Sequence, residues 1–195
     1  LVSAVVLIAG AGSYFYLWGY PALMARLTSY REELVRNPST RPAVKAEAIR
    51  SLSERKPLTF PGSTLTDLDL TNLRTRFFAD FSSANMERVD FRDASLGAAS
   101  FRSGTLAGIN FENANLELAG FDKATIKAAA SGKQEGANVM SVQTSFKKAN
   151  LVRATFDGVI FCGAVDFSNA EVREASFRSA SLKVIRRGTS FVSCG

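Results

Sequence analysis

The chain has 195 residues, 46% of them hydrophobic, with 24 Lys and Arg against 18 Asp and Glu for a formal net charge of +6. It contains no histidine and only two cysteines. Those absences exclude an imidazole general base, a Ser–His or Cys–His nucleophile pair, a histidine metal ligand and a four-ligand zinc site.

The first 25 residues, LVSAVVLIAGAGSYFYLWGYPALMA, carry no charge. A run of 18 or more apolar residues reads as a membrane span, and a helix over residues 1–20 is about 30 Å long, the thickness of the hydrocarbon layer. Tyr14, Phe15, Tyr16, Trp18 and Tyr20 cluster at its end, as residues of a membrane interface do. Ala9, Gly10, Gly12 and Ser13 give a small-residue face on which another membrane helix can pack. A signal peptide has a shorter apolar core and a basic leading region, and neither fits.

Residues 21–57 change character: eight basic residues from Arg26 to Lys56 stand against Glu32, Glu33, Glu47 and Glu54. Leu23, Leu27, Tyr30 and Leu34 recur at helical spacing and predict an amphipathic helix over 22–36. Asn37 to Pro42 break it, and a second short helix follows with Val44, Ala48, Ile49 and Leu52 on one side, ending at Pro57. Basic residues just after a span place that side in the cytoplasm, or in a stroma or matrix. The expected topology is therefore a single-span integral membrane protein with its remaining chain on that side.

From residue 58 the chain repeats. A large apolar residue falls at 81, 86, 91, 96, 101, 106, 111, 116, 121 and 126, every fifth position. The residue two places earlier is usually Ala, and the other three are chiefly polar. With the centre called i, positions i and i−2 should point inward and i−1, i+1 and i+2 outward. Two inward residues flanking one outward residue make a very short strand, and the other two turn the chain. Four such sides close a square coil of about twenty residues, with coils stacked at about 4.8 Å. Val89 and Ile109, the bulky i−2 residues, lie twenty apart and should sit one above the other. The alternation of Phe81, Phe91, Phe101, Phe111 and Phe121 with Met86, Leu96, Leu106, Leu116 and Ile126 puts Phe ladders on two opposite faces.

Before the ten unbroken pentads, the centres are placed at Leu68 and Leu73, with Arg76, Phe77 and Phe78 as three extra residues. Residues 129–143 interrupt the pattern as an inserted loop, and Ala164 slips it by one before it ends at Val184.

The segments ADFSS, ANMER, ASLGA and ANLEL resemble the A-[DN]-L-x-x signature of pentapeptide-repeat proteins, and the resemblance covers residues 66–184. It implies an all-β solenoid, the right-handed quadrilateral parallel β-helix of that family, here of about five coils and preceded by the membrane helix and helical neck. The expected domains are thus 1–20, 21–57 and 58–195. Some members imitate DNA and bind topoisomerases, a role that needs an acidic rod. Residues 58–195 carry 16 basic against 14 acidic residues, so neither that role nor nucleic-acid binding is expected.

Asp67, Asp80, Asp90 and Asp166, with Asn72, Asn85, Asn110, Asn115 and Asn150, are read as i−1 residues bonding nearby turn backbone rather than as a carboxylate array. Fragments resembling a dinucleotide fingerprint (10–15) and a phosphate loop (131–134) lack required residues. Cys162 and Cys194 are expected to be reduced thiols.

Candidate partner contacts are the apolar residues at positions assigned to solvent: Leu118, Val152, Ile160 and Val184, with Phe77 and Phe78 at the extra residues. Nothing assembles a nucleophile, a base and a stabiliser, so no enzyme, cofactor or small-molecule substrate is expected. The expected role is a membrane-anchored scaffold or accessory subunit whose partners are other membrane protein subunits and the lipid bilayer. The resemblance, through its frequency in cyanobacteria and plastids, adds photosynthetic or respiratory complexes and the thylakoid membrane as hosts. The alternatives are a regulatory module of a small membrane channel or transporter, and a binder of a soluble partner.

Overall fold

The computed structural model describes residues 20–129 and 142–183. The span expected over 1–20 therefore lies, except for Tyr20, outside the described residues. Among those residues no helix is long and apolar enough to cross a membrane. Helix α1 (Tyr20–Arg36) and helix α2 (Pro42–Ser53) precede ten strands. These are β1 (Leu58–Thr59), β2 (Thr64–Thr66), β3 (Ala79–Asp80), β4 (Asn85–Glu87), β5 (Thr105–Ala107), β6 (Thr125–Lys127), β7 (Thr144–Ser145), β8 (Ile160–Cys162), β9 (Val165–Asp166) and β10 (Ser181–Lys183).

Every pairing between these strands is parallel, and one face runs β2-β4-β5-β6-β8-β10. Partners on that face are Thr64 with Asn85, Asn85 with Thr105, Thr105 with Thr125, Thr125 with Ile160, and Ile160 with Ser181. The chain thus climbs in steps of 21, 20, 20, 35 and 21 residues, a solenoid of about five coils. Val89 and Ile109 stack as expected, with Asn110 N–H donating to the Val89 carbonyl at 3.0 Å.

The five-residue unit has a definite geometry at each corner. The carbonyl at i accepts from the N–H at i+3, as Phe81 does from Ala84 at 3.1 Å and Phe91 from Ala94 at 3.1 Å. Position i+2 adopts the left-handed conformation, with φ near +56 to +60° at Ser83, Asp93, Asn113 and Leu118. Most L residues resist that conformation by about 1–2 kcal/mol, so the ladder bonds must outweigh it. The i−1 side chain completes the turn: Asp80, Asp90 and Asn110 accept the N–H at i+1 at 2.9, 3.0 and 3.0 Å.

Inside, two aromatic ladders run the length of the rod. Phe81, Phe101, Phe121, Phe156 and Phe177 form one, with rings 4.7–5.6 Å apart and nearly parallel. Phe91, Phe111, Phe146 and Phe167 form the other, at 4.9–5.3 Å. The ladders meet edge to face across the axis, as Phe111 meets Phe121 at 6.0 Å and 84°. Both arrangements suit the ring quadrupole and add about 0.5–1.5 kcal/mol per pair beyond burial. Ala at i−2 leaves room for the rings; Ala94, Ala99, Ala114 and Ala119 are all buried. The aliphatic faces follow the expected pattern, except that Phe161 stands where Leu106 and Ile126 stand below it.

The first coil corrects the expected phase. Leu70 lies below Phe91, because Asp69 bridges Asp90, and Leu65 lies below Met86. Leu70 is therefore a centre, while Leu68 and Leu73 fill the i−2 slots that Ala holds elsewhere. Leu68 and Leu70 are equally large and Thr75 holds the centre slot after Leu73, so size in the sequence does not show which slot is which. The repeat then begins at Leu58 with Phe60 as its first centre. One extra residue, not three, separates Arg74 (opposite Ser95) from Asp80 (opposite Ser100). Asp67 and Asn72 consequently sit at left-handed i+2 corners and not at i−1.

The register steps of 35 and 21 residues span the 129–143 segment and Ala164. The step of 35 is closed by an antiparallel bridge between Ala129 and Val142, and residues 130–141 lie outside the described residues. Buried Thr144 mends the interruption: its hydroxyl donates to the Lys127 carbonyl at 2.8 Å and accepts the Ile109 N–H at 3.1 Å. Thr144→Val is expected to cost about 1–3 kcal/mol in urea unfolding, because both groups lose their partner.

The helices are a cap on the first coil. An open β-helix end presents unpaired carbonyls and apolar interior. Helix α2 covers it with buried Ala46, Ala48, Ile49 and Leu52. Basic side chains finish the edge: Arg50 donates to the carbonyls of Thr71 and Asp69 at 2.7 Å each, Arg36 to Thr59 at 3.2 Å, and Lys45 to Thr64 at 3.4 Å. Three of the eight basic residues of the neck therefore have a capping role that the positive-inside reading did not include. Helix α2 also ends at Ser53, before Pro57, and Val44 is exposed.

Cys162 is buried and disulfide-bonded, which corrects the expectation of reduced thiols. The chain's other cysteine, Cys194, lies outside the described residues. Thiol titration of the denatured chain is expected to find no free thiol without reductant and two with it.

Candidate interaction surfaces

Among the described residues no group of three or more His, Cys, Asp or Glu could hold a metal ion. What the fold exposes instead is apolar and basic surface at its helical end.

Helix α1 buries only Val35. Tyr20, Leu23, Leu27 and Tyr30, spaced three and four apart on one stripe, are all exposed, Tyr30 by 61%. The helix is amphipathic as the sequence predicts, but Leu23, Leu27 and Tyr30 of its apolar stripe stay exposed among the described residues. Leu27, Tyr30 and Leu34 with Ala43, Val44 and Ala48 line an open groove of about 440 Å³ between the two helices.

The second surface is the irregular corner of the first coil. Phe77 and Phe78 are 45% and 49% exposed. Phe77 is the i+2 residue of its pentad, yet it lacks the positive φ found at regular corners. The extra residue thus opens the turn and lifts both rings from the rod.

The other predicted contacts scatter. Leu118 is 54% exposed because it occupies a left-handed corner. Val152 and Ile160 are half-buried on other parts of the rod, and Val184 lies outside the described residues. Of the membrane-interface set only Tyr20 is described; Tyr14, Tyr16 and Trp18, like the packing face of Ala9, Gly10, Gly12 and Ser13, lie outside. Among the described residues Leu118, Val152 and Ile160 lie on separate pentads of the rod, and Phe77 and Phe78 adjoin each other.

The rod itself is electrostatically balanced. Arg88 pairs with Asp67 at 2.6 Å and also with Glu87, and its hydrogen bond holds the Asp67 carboxyl below the usual carboxylate range. The Thr71 N–H and hydroxyl, aided by Arg50, hold Asp69 low in the same way. Near the other end Arg153 pairs with Glu174 at 2.8 Å, and Ser176 with the Arg178 N–H lowers Asp157.

These coils agree with the family comparison. Residues 142–183 match the family model for pentapeptide repeats, in eight copies. The match covers the pentads after the insertion; the earlier coils share the same corners and ladders. Together they support the pentapeptide-repeat family for this chain. No curated protein matches it.

Solved structures similar to the chain include a pentapeptide-repeat protein, Rfr23, from the cyanobacterium Cyanothece, at 19% identity, 66% of either chain and a TM-score of 0.28. Trypsin-treated QnrB1, a plasmid-mediated fluoroquinolone resistance protein, is 16% identical over 66% of this chain and 84% of its own, with a TM-score of 0.26. HetL, a pentapeptide-repeat protein involved in heterocyst differentiation regulation in the cyanobacterium Nostoc, is 14% identical over 70% of this chain and 95% of its own, with a TM-score of 0.18. At such scores these structures say nothing about this chain's partners.

Proposed function

We propose that the chain is a non-catalytic interaction scaffold, tethered to a membrane through its first twenty or so residues, that docks other membrane protein subunits through its helical end. The carrying observation is the exposed stripe Leu23, Leu27 and Tyr30. It follows closely on an uncharged apolar run and stays exposed on the described fold. A monomer gains nothing by leaving such a stripe in water, whereas a neighbouring helix laid along it would bury all three side chains. Phe77 and Phe78 offer a further contact. The rod is a rigid spacer behind them.

Two observations bear on the side of the membrane, and they disagree. Basic residues after the apolar run favour the cytoplasmic side. A disulfide persists in an oxidising compartment. Arg36, Lys45 and Arg50 cap the solenoid, which gives the neck's charge a structural purpose. We therefore place the rod on the oxidising side, opposite to the side the charges suggest. A photo-crosslinking residue at Leu23 or Tyr30, in native membranes, should yield one discrete adduct with another membrane protein. One at Asp93, an exposed rod corner, should yield none. Equal, diffuse labelling from both positions would remove the docking face from the proposal.

A further inference from the structure

The arginines of the rod are, as a rule, paired. Arg92 meets Asp90 at 2.7 Å, Arg102 meets Asp122 at 3.0 Å, and Arg173 meets Glu171 at 2.7 Å. Among the described arginines of the rod Arg74, Arg76 and Arg178 form no ion pair, and the first two lie on one cleft. Where the end of α2 meets the first coil there is an open cleft of about 620 Å³ whose walls include Arg50, Arg55, Arg74, Arg76, Asn72 and Glu54. Arg50 is engaged by the edge carbonyls and by Asp69. Among the described residues Arg55, Arg74 and Arg76 form no ion pair, and the one carboxylate on the walls, Glu54, forms none either.

Three unpaired guanidinium groups around one concavity repel one another, and water screens that repulsion only in part. The backbone does not require them there. The carbonyl at the helix end, Leu52 O, already accepts the Arg55 and Lys56 N–H groups at 3.0 and 3.1 Å. What the cleft lacks is an anion. Arginines on both walls, Arg55 on the helix side and Arg74 and Arg76 on the coil side, suit a tetrahedral oxyanion with several acceptor oxygens, which a guanidinium fork can meet bidentately. The volume is ample for a phosphate ester, and the Asn72 side chain adds a neutral donor on the coil side. Glu54 reduces the positive excess without cancelling it.

We propose that this cleft binds a phosphate-bearing anion through Arg55, Arg74 and Arg76. The phosphate comes either from an anionic phospholipid headgroup or from a soluble phosphate ester; the chemistry is the same. All three arginines are exposed, so replacing them leaves the core untouched.

The test uses the full chain in a neutral detergent at low ionic strength, with calorimetric titration of sodium pyrophosphate and, separately, of phosphatidic acid doped into the micelles against phosphatidylcholine. Saturable binding is expected, weakened at least tenfold by Arg55→Gln with Arg74→Gln and unchanged by Arg173→Gln. Pyrophosphate binding identifies a soluble ester; binding of phosphatidic acid alone identifies a headgroup. The proposal is overturned if neither probe binds saturably, or if Arg173→Gln weakens binding as much as the cleft variant. Unchanged thermal unfolding of both variants excludes a folding defect as the cause.

Discussion

Replacing Phe111 by alanine will lower the unfolding free energy by about 3–5 kcal/mol. The ring is fully buried. It stacks on Phe91 at 5.3 Å and Phe146 at 5.0 Å, and it meets Phe101 and Phe121 edge-on at 5.5 and 6.0 Å. Its loss forfeits the transfer free energy of a phenyl group and leaves a cavity that neighbours cannot collapse into, because ladder bonds fix the coils above and below. Phe177 has the same chemistry at the last described coil, but its side chain is 40% exposed. Phe177→Ala should therefore cost well under half as much. Guanidinium unfolding of the two variants, followed by circular dichroism, checks the contrast. Equal costs would mean that the ladders do not carry the stability assigned to them.

Ile49→Ala will cost about 2–5 kcal/mol and will also change how the chain associates. Ile49 is fully buried on the cap, beside Leu52. Weakening α2 uncovers the first coil, whose Leu58, Phe60, Leu65 and Leu70 are now buried and whose edge carbonyls of Asp69 and Thr71 are held by Arg50. An uncapped parallel edge pairs with any other edge. Light scattering of Ile49→Ala should show concentration-dependent association well below the temperature at which the rod melts, while Phe111→Ala should lose stability without it. If Ile49→Ala only lowers the melting temperature, α2 is packing material and not a cap.

Where the repeat is strict, the fold is written openly in the sequence. From Ala79 to Ala128 one slot takes Phe, Leu, Met or Ile and the other is mostly a small residue, so period, face and ladder follow from steric size alone. Phase was lost where size stopped discriminating: Leu68 and Leu70 are both large, and only the register against Asp90 tells them apart. The left-handed corners are silent in sequence, because Ser83, Arg88, Ala98 and Leu118 share a φ and no side-chain chemistry. The cap was hidden differently. Arg36, Lys45 and Arg50 read as membrane-flanking charge, and only the position of the rod's open edge gives them acceptors. The exposed α1 stripe was legible as amphipathic, but no pattern along one chain states whether the fold or a partner covers it. The arginine cleft draws on Arg50 and Arg55 from the neck and Arg74 and Arg76 from the first coil, which only the seating of α2 brings together.

The measurement that tests the scaffold reading most directly is mild-detergent extraction of the full chain from its native membranes. It is followed by native electrophoresis and mass spectrometry of the comigrating proteins, for the natural sequence and for a variant with Leu23, Leu27 and Tyr30 changed to Ser. The account predicts that the natural chain leaves the membrane in fixed ratio with other membrane subunits, and that the variant stays folded and membrane-bound but leaves alone. A natural chain that runs by itself, or a variant that keeps the same companions, would contradict it.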